Sequence, residues 1–166
     1  CCALVDKHAS IDWFCYPDFA GPSVFAKLLD DEKGGSFGVK AKGNYKTSQR
    51  YDEHTNILET TFDDGKNRFV FIDFFPRYRK LLPSRKQKLV KQNNLVRLIK
   101  PVKGKPFVKV EYDPRLNYAQ GENRHRVVKG KLVTRNKHRN ISLVSNVDYD
   151  FILESMYFKL DHTKYF

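Results

Sequence analysis

The sequence predicts an all-β fold, an antiparallel β-sandwich with one short helix near the N-terminus. Three observations predict it. From Ser36 onward the apolar runs are short, rich in β-branched and aromatic residues, and punctuated by Gly, Asn and Asp. One segment, V-F-A-K-L-L at 24–29, carries apolar residues at helical spacing. At 166 residues, 40% hydrophobic and 14% aromatic, the chain can bury one sizeable core. No shift of composition and no repeat period divides it, so residues 1–166 are expected to form a single domain.

Taken in order, Cys1–Val5 and Ile11–Cys15 read as two strands joined by the polar turn Asp6–Ser10. Pro17 and Pro22 interrupt regular structure, because the residue before a proline is steered away from helix. Ser23 is placed to cap a helical turn with Phe25, Leu28 and Leu29 on one face, stopped by Asp30-Asp31-Glu32 and Gly34-Gly35. Strands follow at 36–41, 49–52, 57–62 and 68–75, with Asp63-Asp64-Gly65-Lys66 as a hairpin turn. The stretch 76–94 is basic, contains Pro83 and lacks alternation, which predicts an exposed loop. Strands resume at 95–99, 107–112, 126–128, 131–134, 141–145 and 151–158, with turns at Gly104-Lys105-Pro106 and Lys129-Gly130.

The chain carries 31 Lys and Arg against 19 Asp and Glu, a formal net charge of +12. The excess sits in two acid-free stretches, one between Asp73 and Glu111 and one from Asn123 to Val147. Such runs can meet phosphate backbones or acidic surfaces. A solvated basic surface, or one balanced by an acidic partner domain, accounts for them more simply than nucleic acid bound through Arg77–Lys91. No apolar run reaches the ~20 residues of a membrane-spanning helix, so no membrane partner is expected. The three cysteines, Cys1, Cys2 and Cys15, read as buried thiols of a reducing compartment, and a cytoplasmic location is expected. Cys1 and Phe166 both lie directly in apolar context, as though excised from a longer chain that could carry a secretion signal.

Catalytic signatures are missing. There is no phosphate-binding glycine loop, nucleophile elbow, H-E-x-x-H or dinucleotide fingerprint. The histidines at 8, 54, 125, 138 and 162 are scattered in polar contexts, so neither metal nor cofactor is expected. The paired aspartates at 30–31, 63–64 and 148/150 sit in turns, where aspartate bonds its own backbone. The stretch Ser10–Asp31 is more particular. Trp13, Phe14, Tyr16 and Phe19 lie on or beside a turn that also holds Asp18. Rings beside a carboxylate and free amides suit a sugar, whose apolar face stacks while its hydroxyls bond. A core tryptophan anchoring the turn explains the same residues.

That stretch, S-I-D-W-F-C-Y-P-D-F-A-G-P-S-V-F-A-K-L-L-D, resembles the N-terminal signature of microbial glycoside hydrolase family 15, which includes glucoamylase-like, glucodextranase-like and trehalase-like enzymes. Ala3-Leu4-Val5, Gly34-Gly35-Ser36-Phe37, Gln49-Arg50-Tyr51, Thr55–Thr60, Asp73-Phe74-Phe75-Pro76, Leu95-Val96-Arg97 and Tyr112–Tyr118 continue the resemblance in order. The resemblance implies a β-sandwich that precedes an (α/α)6 barrel, with both catalytic glutamates in the barrel. It therefore implies a domain without catalytic residues that packs on the barrel, whose α-glucan or trehalose substrate meets a rim formed in part by Trp13, Pro17, Asp18 and Phe19. The family's F-D-S-P is Phe19-Ala20-Gly21-Pro22 here, so a carboxylate and a hydroxyl are missing from that loop. Two other readings of the residues are a basic binding module for nucleic acid or another anionic partner, and a stand-alone carbohydrate-binding sandwich using Trp13.

Overall fold

Strict alternation builds the centre of the fold. In R-F-V-F-I-D-F (Arg68–Phe74) every second residue, Phe69, Phe71 and Asp73, is buried, and in Val96–Lys103 Arg97 and Ile99 are. The structure, a computed structural model, describes residues 2–83 and 86–166. Its strands are β1 (Ala3–Val5), β2 (Ile11–Cys15), β3 (Ser23–Phe25), β4 (Phe37–Ala41), β5 (Lys46–Tyr51), β6 (Leu58–Asp63), β7 (Arg68–Phe74), β8 (Arg77–Leu81), β9 (Gln87–Lys91), β10 (Val96–Lys103), β11 (Phe107–Tyr112), β12 (Arg124–Val128), β13 (Lys131–Arg135), β14 (Asn140–Leu143), β15 (Phe158–Lys159) and β16 (Lys164–Tyr165). One helix, α1, spans Tyr149–Leu153.

Two antiparallel sheets make the sandwich, ordered β1-β2-β4-β11-β15 with β3 also on β2, and β16-β10-β7-β6-β5. Phe14, Phe25, Phe37, Val39, Val108 and Val110 of the first share one core with Phe62, Phe69, Phe71 and Ile99 of the second. The rings interlock: Phe62 stacks on Phe69 at 4.8 Å, and Phe166 meets Phe37 edge-on at 5.7 Å. A three-stranded sheet, β12-β13-β14, and the two-stranded ribbon β8-β9 complete the topology.

The all-β class and the lone short helix are as predicted, but the helix is elsewhere. Residues 23–25 form β3, and the chain after them makes turns. The backbone N–H groups of Ala26, Lys27 and Leu28 donate to Gly34, Gly35 and Asp12, so partners outside the segment take the bonds a helix would use. Leu28 and Leu29 are 62% and 67% exposed, so the apolar stripe that predicted a helix has no core to face. The helix instead occupies part of the strand expected at 151–158. Asp148 caps it by accepting from the Asp150 N–H at 3.1 Å, Ile152 is buried, and only Phe158–Lys159 is strand.

The stretch 76–94 is exposed as expected, yet it is a paired ribbon rather than a loop. Both of its faces meet water, so no apolar alternation marks it. Arg85 of that stretch lies outside the described residues. Cys15 is buried, and burial raises its thiol pKa, whereas Cys2 is exposed and Cys1 lies outside the described residues. Among the described residues no helix is long and apolar enough to cross a membrane.

Candidate functional site

A β-bulge decides what the Trp13 side chain does. Val5 pairs with Ile11 and Leu4 with Trp13, which leaves Asp12 as an extra residue on β2. The extra residue brings Ile11 and Phe14, three positions apart, into the core together and turns Trp13 away from it. Asp12 is held at the bulge. Its carboxylate accepts from Ser10 Oγ at 2.7 Å, and its backbone carbonyl accepts from the Leu28 N–H at 3.0 Å.

The loop after β2 folds back on itself. The Tyr16 N–H donates to the Pro22 carbonyl at 3.2 Å, across a cis Tyr16–Pro17 bond. Asp18 Oδ1 accepts from the Ala20 N–H and the Asp18 carbonyl from the Gly21 N–H, each at 3.1 Å. A Cβ at Gly21 would sit 2.7 Å from the Tyr16 carbonyl oxygen, so this closure needs glycine where the resembled family has serine. Phe19 stands at the tip, 68% exposed, beside exposed Asp18 and half-buried Pro17.

A distant segment meets this loop. The carbonyls of Val24 and Ser23 accept from the N–H groups of Arg115 and Asn117 at 2.8 and 2.9 Å, and Ser23 Oγ accepts from the Tyr118 N–H at 3.0 Å. Asn117, Tyr118 and Ala119 all take left-handed backbone angles, with φ of 57°, 56° and 58°. That turn sets the half-exposed Tyr118 ring 6.3 Å from Trp13 at an interplanar angle of 48°. At the head of the segment the Tyr112 side chain bonds Thr134, and burial pushes its pKa up to about 12. Thr134 Oγ1 lies 2.9 Å from His125 Nδ1, and burial lowers the His125 pKa.

Of the predicted site residues, then, Trp13 faces outward and pairs with Tyr118, while Pro17, Asp18 and Phe19 form the adjoining turn. Phe14 joins the core and Tyr16 packs against it. Sequence reasoning missed Tyr118 as the neighbour of Trp13 and Ser23 as the residue that holds the Tyr118 turn. The resemblance reached both, in P-S-V-F and D-P-R-L-N-Y, without indicating that they touch. The carboxylates here are committed: Asp12 to Ser10, Asp18 to its own turn, Asp113 to Arg115 at 2.8 Å. None is paired across the loop with another acid, the arrangement that glycoside hydrolysis uses. Two open grooves, about 450 and 750 Å³, lie elsewhere. The first is lined by Asp6, His8, Lys40, Tyr45 and Glu111, the second by Lys46, Thr61, Asp63 and Arg68, and neither includes Trp13, Pro17, Asp18 or Phe19.

The family model described as trehalase-like, N-terminal matches residues 1–158. Trehalase 2 of Sulfolobus acidocaldarius is 46% identical over 72 residues, 43% of this chain and 12% of the relative. The trehalase of Thermoplasma acidophilum is 41% identical over 76 residues, 44% of this chain and 13% of the relative. The matched stretch thus spans about an eighth of the length of these relatives. No solved structure matches significantly. With residues 1–158 of its 166 matched, the chain belongs to the trehalase-like N-terminal domain family.

Proposed function

We propose that this chain is the single, non-catalytic β-sandwich domain of a trehalase-type glycosidase, working with a catalytic (α/α)6 barrel that supplies the acid and base for inverting hydrolysis of trehalose or an α-glucan. In this reading Trp13, Pro17, Asp18 and Phe19 shape the rim of the barrel's active site. The observation that carries it is the convergence of β2, the aromatic turn and the 113–118 segment on one surface whose carboxylates are all engaged in structure. Such a surface can present rings and amides to a sugar, and it holds no facing pair of carboxylates of the kind glycoside hydrolysis uses. The test is hydrolysis. The purified 166-residue chain is expected to release no glucose from trehalose or maltooligosaccharides, and release above the buffer rate overturns the reading.

A second reading, an anionic partner, is favoured by one observation. The outer face of β12-β13-β14 carries Arg124, Arg126, Lys131 and Arg135, with Arg124 directly opposite Arg135. Among the described residues none of the four is ion-paired. If nucleic acid is that partner, binding at low salt weakens steeply as salt rises. No binding of DNA or RNA at low salt removes it and leaves an acidic protein surface as the candidate.

A further inference from the structure

We propose that Cys2 and Cys15 are a cross-strand dithiol that a small disulfide oxidant, such as oxidised glutathione, converts to a disulfide, stapling β1 to β2 at the base of the aromatic turn.

Strand register brings the two together. Ala3 lies opposite Phe14 and Leu4 opposite Trp13, so Cys2, one step before Ala3, comes opposite Cys15, one step after Phe14. Directly opposed residues of an antiparallel pair have Cα atoms about 4.5–5.5 Å apart, inside the range of roughly 4.4–6.8 Å that a disulfide spans. Such a pair projects to one face, and alternation decides which. Phe14 is in the core and Ala3 packs against it, so Cys2 and Cys15 project to the other face, with Leu4 and Trp13. Cys15, 1% exposed, is accordingly buried outside that core. Burial first, then the nearness of Cys2 and of Asp18, raises its thiol pKa, which places Cys2 and the turn beside the sulfur.

The pair is asymmetric in the way stepwise oxidation needs. Cys2 is exposed and meets the oxidant, while Cys15 is screened from it. The Cys2 thiolate attacks oxidised glutathione, forming a mixed disulfide and releasing one glutathione thiol. The Cys15 thiol gives its proton to solvent and attacks Cys2 Sγ, releasing the second glutathione. The two cysteines thus lose two electrons and two protons, and the oxidant gains both. The bond matters because β1 is a three-residue edge strand, paired with β2 alone among the described residues. Closing it ties that edge to the strand that carries Trp13 into the loop.

Incubating the reduced 166-residue chain with oxidised glutathione is expected to yield a species lighter by two hydrogens, with Cys2 linked to Cys15 by peptide mapping. Its unfolding midpoint is expected to rise by roughly 5–10 °C and to return when dithiothreitol is added. Cys1→Ser is expected to keep the bond and Cys2→Ser to lose it. Because Cys2 is exposed, Cys2→Ser leaves the buried packing intact. A bond from Cys1 to Cys15 or to Cys2, or glutathione left on Cys2 with no internal bond, overturns the proposal. So does an internal bond to Cys15 that Cys2→Ser still forms. Each result leaves the accessory-domain reading standing, because that reading is tested by hydrolysis.

Discussion

Arg97 and Asp73 face each other across β10 and β7, their side chains 2.7 Å apart and almost wholly buried. The guanidinium does more than pair. It donates to the backbone carbonyls of Phe37 and Ala9, which belong to the opposite sheet and to the β1–β2 turn. Its charge lies 4.9 and 5.3 Å from the ring centres of Phe37 and Phe71. One side chain therefore joins the two sheets and anchors the turn that leads into the aromatic loop.

Breaking this pair from one side strands a charge. Arg97→Met is expected to cost about 3–5 kcal/mol, and Asp73→Leu a similar amount, measured by urea unfolding. The double variant is expected to be more stable than either single one, because no unpaired charge then remains. Additive losses in the double variant would show that the bonds to Phe37 and Ala9, rather than the ion pair, carry the effect.

Close backbone approach makes Gly34 irreplaceable. A Cβ there would lie 2.2 Å from the Ala26 carbonyl oxygen, where the Ala26 N–H also donates to the Gly34 carbonyl at 2.8 Å. Gly34→Ala is expected to cost on the order of 3 kcal/mol, read from the shift in unfolding midpoint. Gly121→Ala, with nothing within 4 Å of the new atom, carries only the cost of its left-handed backbone, about 1–2 kcal/mol. Equal losses at the two sites would refute the packing argument.

Alkaline lability follows from two tyrosines. Burial comes first among the causes that push Tyr45 and Tyr112 up to about 12 from the ordinary value of 10.0. Folded pKa values above the unfolded one mean that this stabilisation is whole below pH 10 and is lost as pH rises toward 12. The unfolding midpoint is expected to fall between those limits, and Tyr112→Phe to make the fall shallower. A slope unchanged by the substitution would assign the lability to other groups.

The hairpin at 63–67 responds at the acid end. The Asn67 N–H, then the Asn67 side chain, hold Asp64 down to about 2 from 3.8. Stability from this depressed pKa is present above pH 3.8 and lost as pH falls toward 2. The amides of Lys66 and Asn67, which donate to Asp64, are expected to lose hydrogen-exchange protection over that interval. In Asp64→Asn the loss is expected to show no such pH dependence; a matching pH profile in that variant would count against the carboxylate.

Most of the strands were legible because each buries one face, and burial writes a period of two into the residues. Arg68–Phe74 and Phe107–Tyr112 are the plainest cases. The ribbon Arg77–Leu81 with Gln87–Lys91 was not legible, since a ribbon wet on both faces leaves no such pattern. V-F-A-K-L-L misled for the opposite reason. Its spacing is helical, but Leu28 and Leu29 are largely exposed among the described residues.

By itself the sequence determined the all-β class, the turns at Asp63–Lys66 and Lys129-Gly130, the family, and an aromatic turn between Trp13 and Phe19. Only the tertiary structure decided that Phe14 goes inward and Trp13 outward, because a one-residue bulge at Asp12 reverses the facing of a strand and leaves no mark on composition. Only it decided that Tyr118 meets Trp13, because that contact is made through Ser23 across a separation local periodicity cannot span. Alternation records what one strand buries; which distant segment covers its other face is settled by hydrogen bonds and packing between elements.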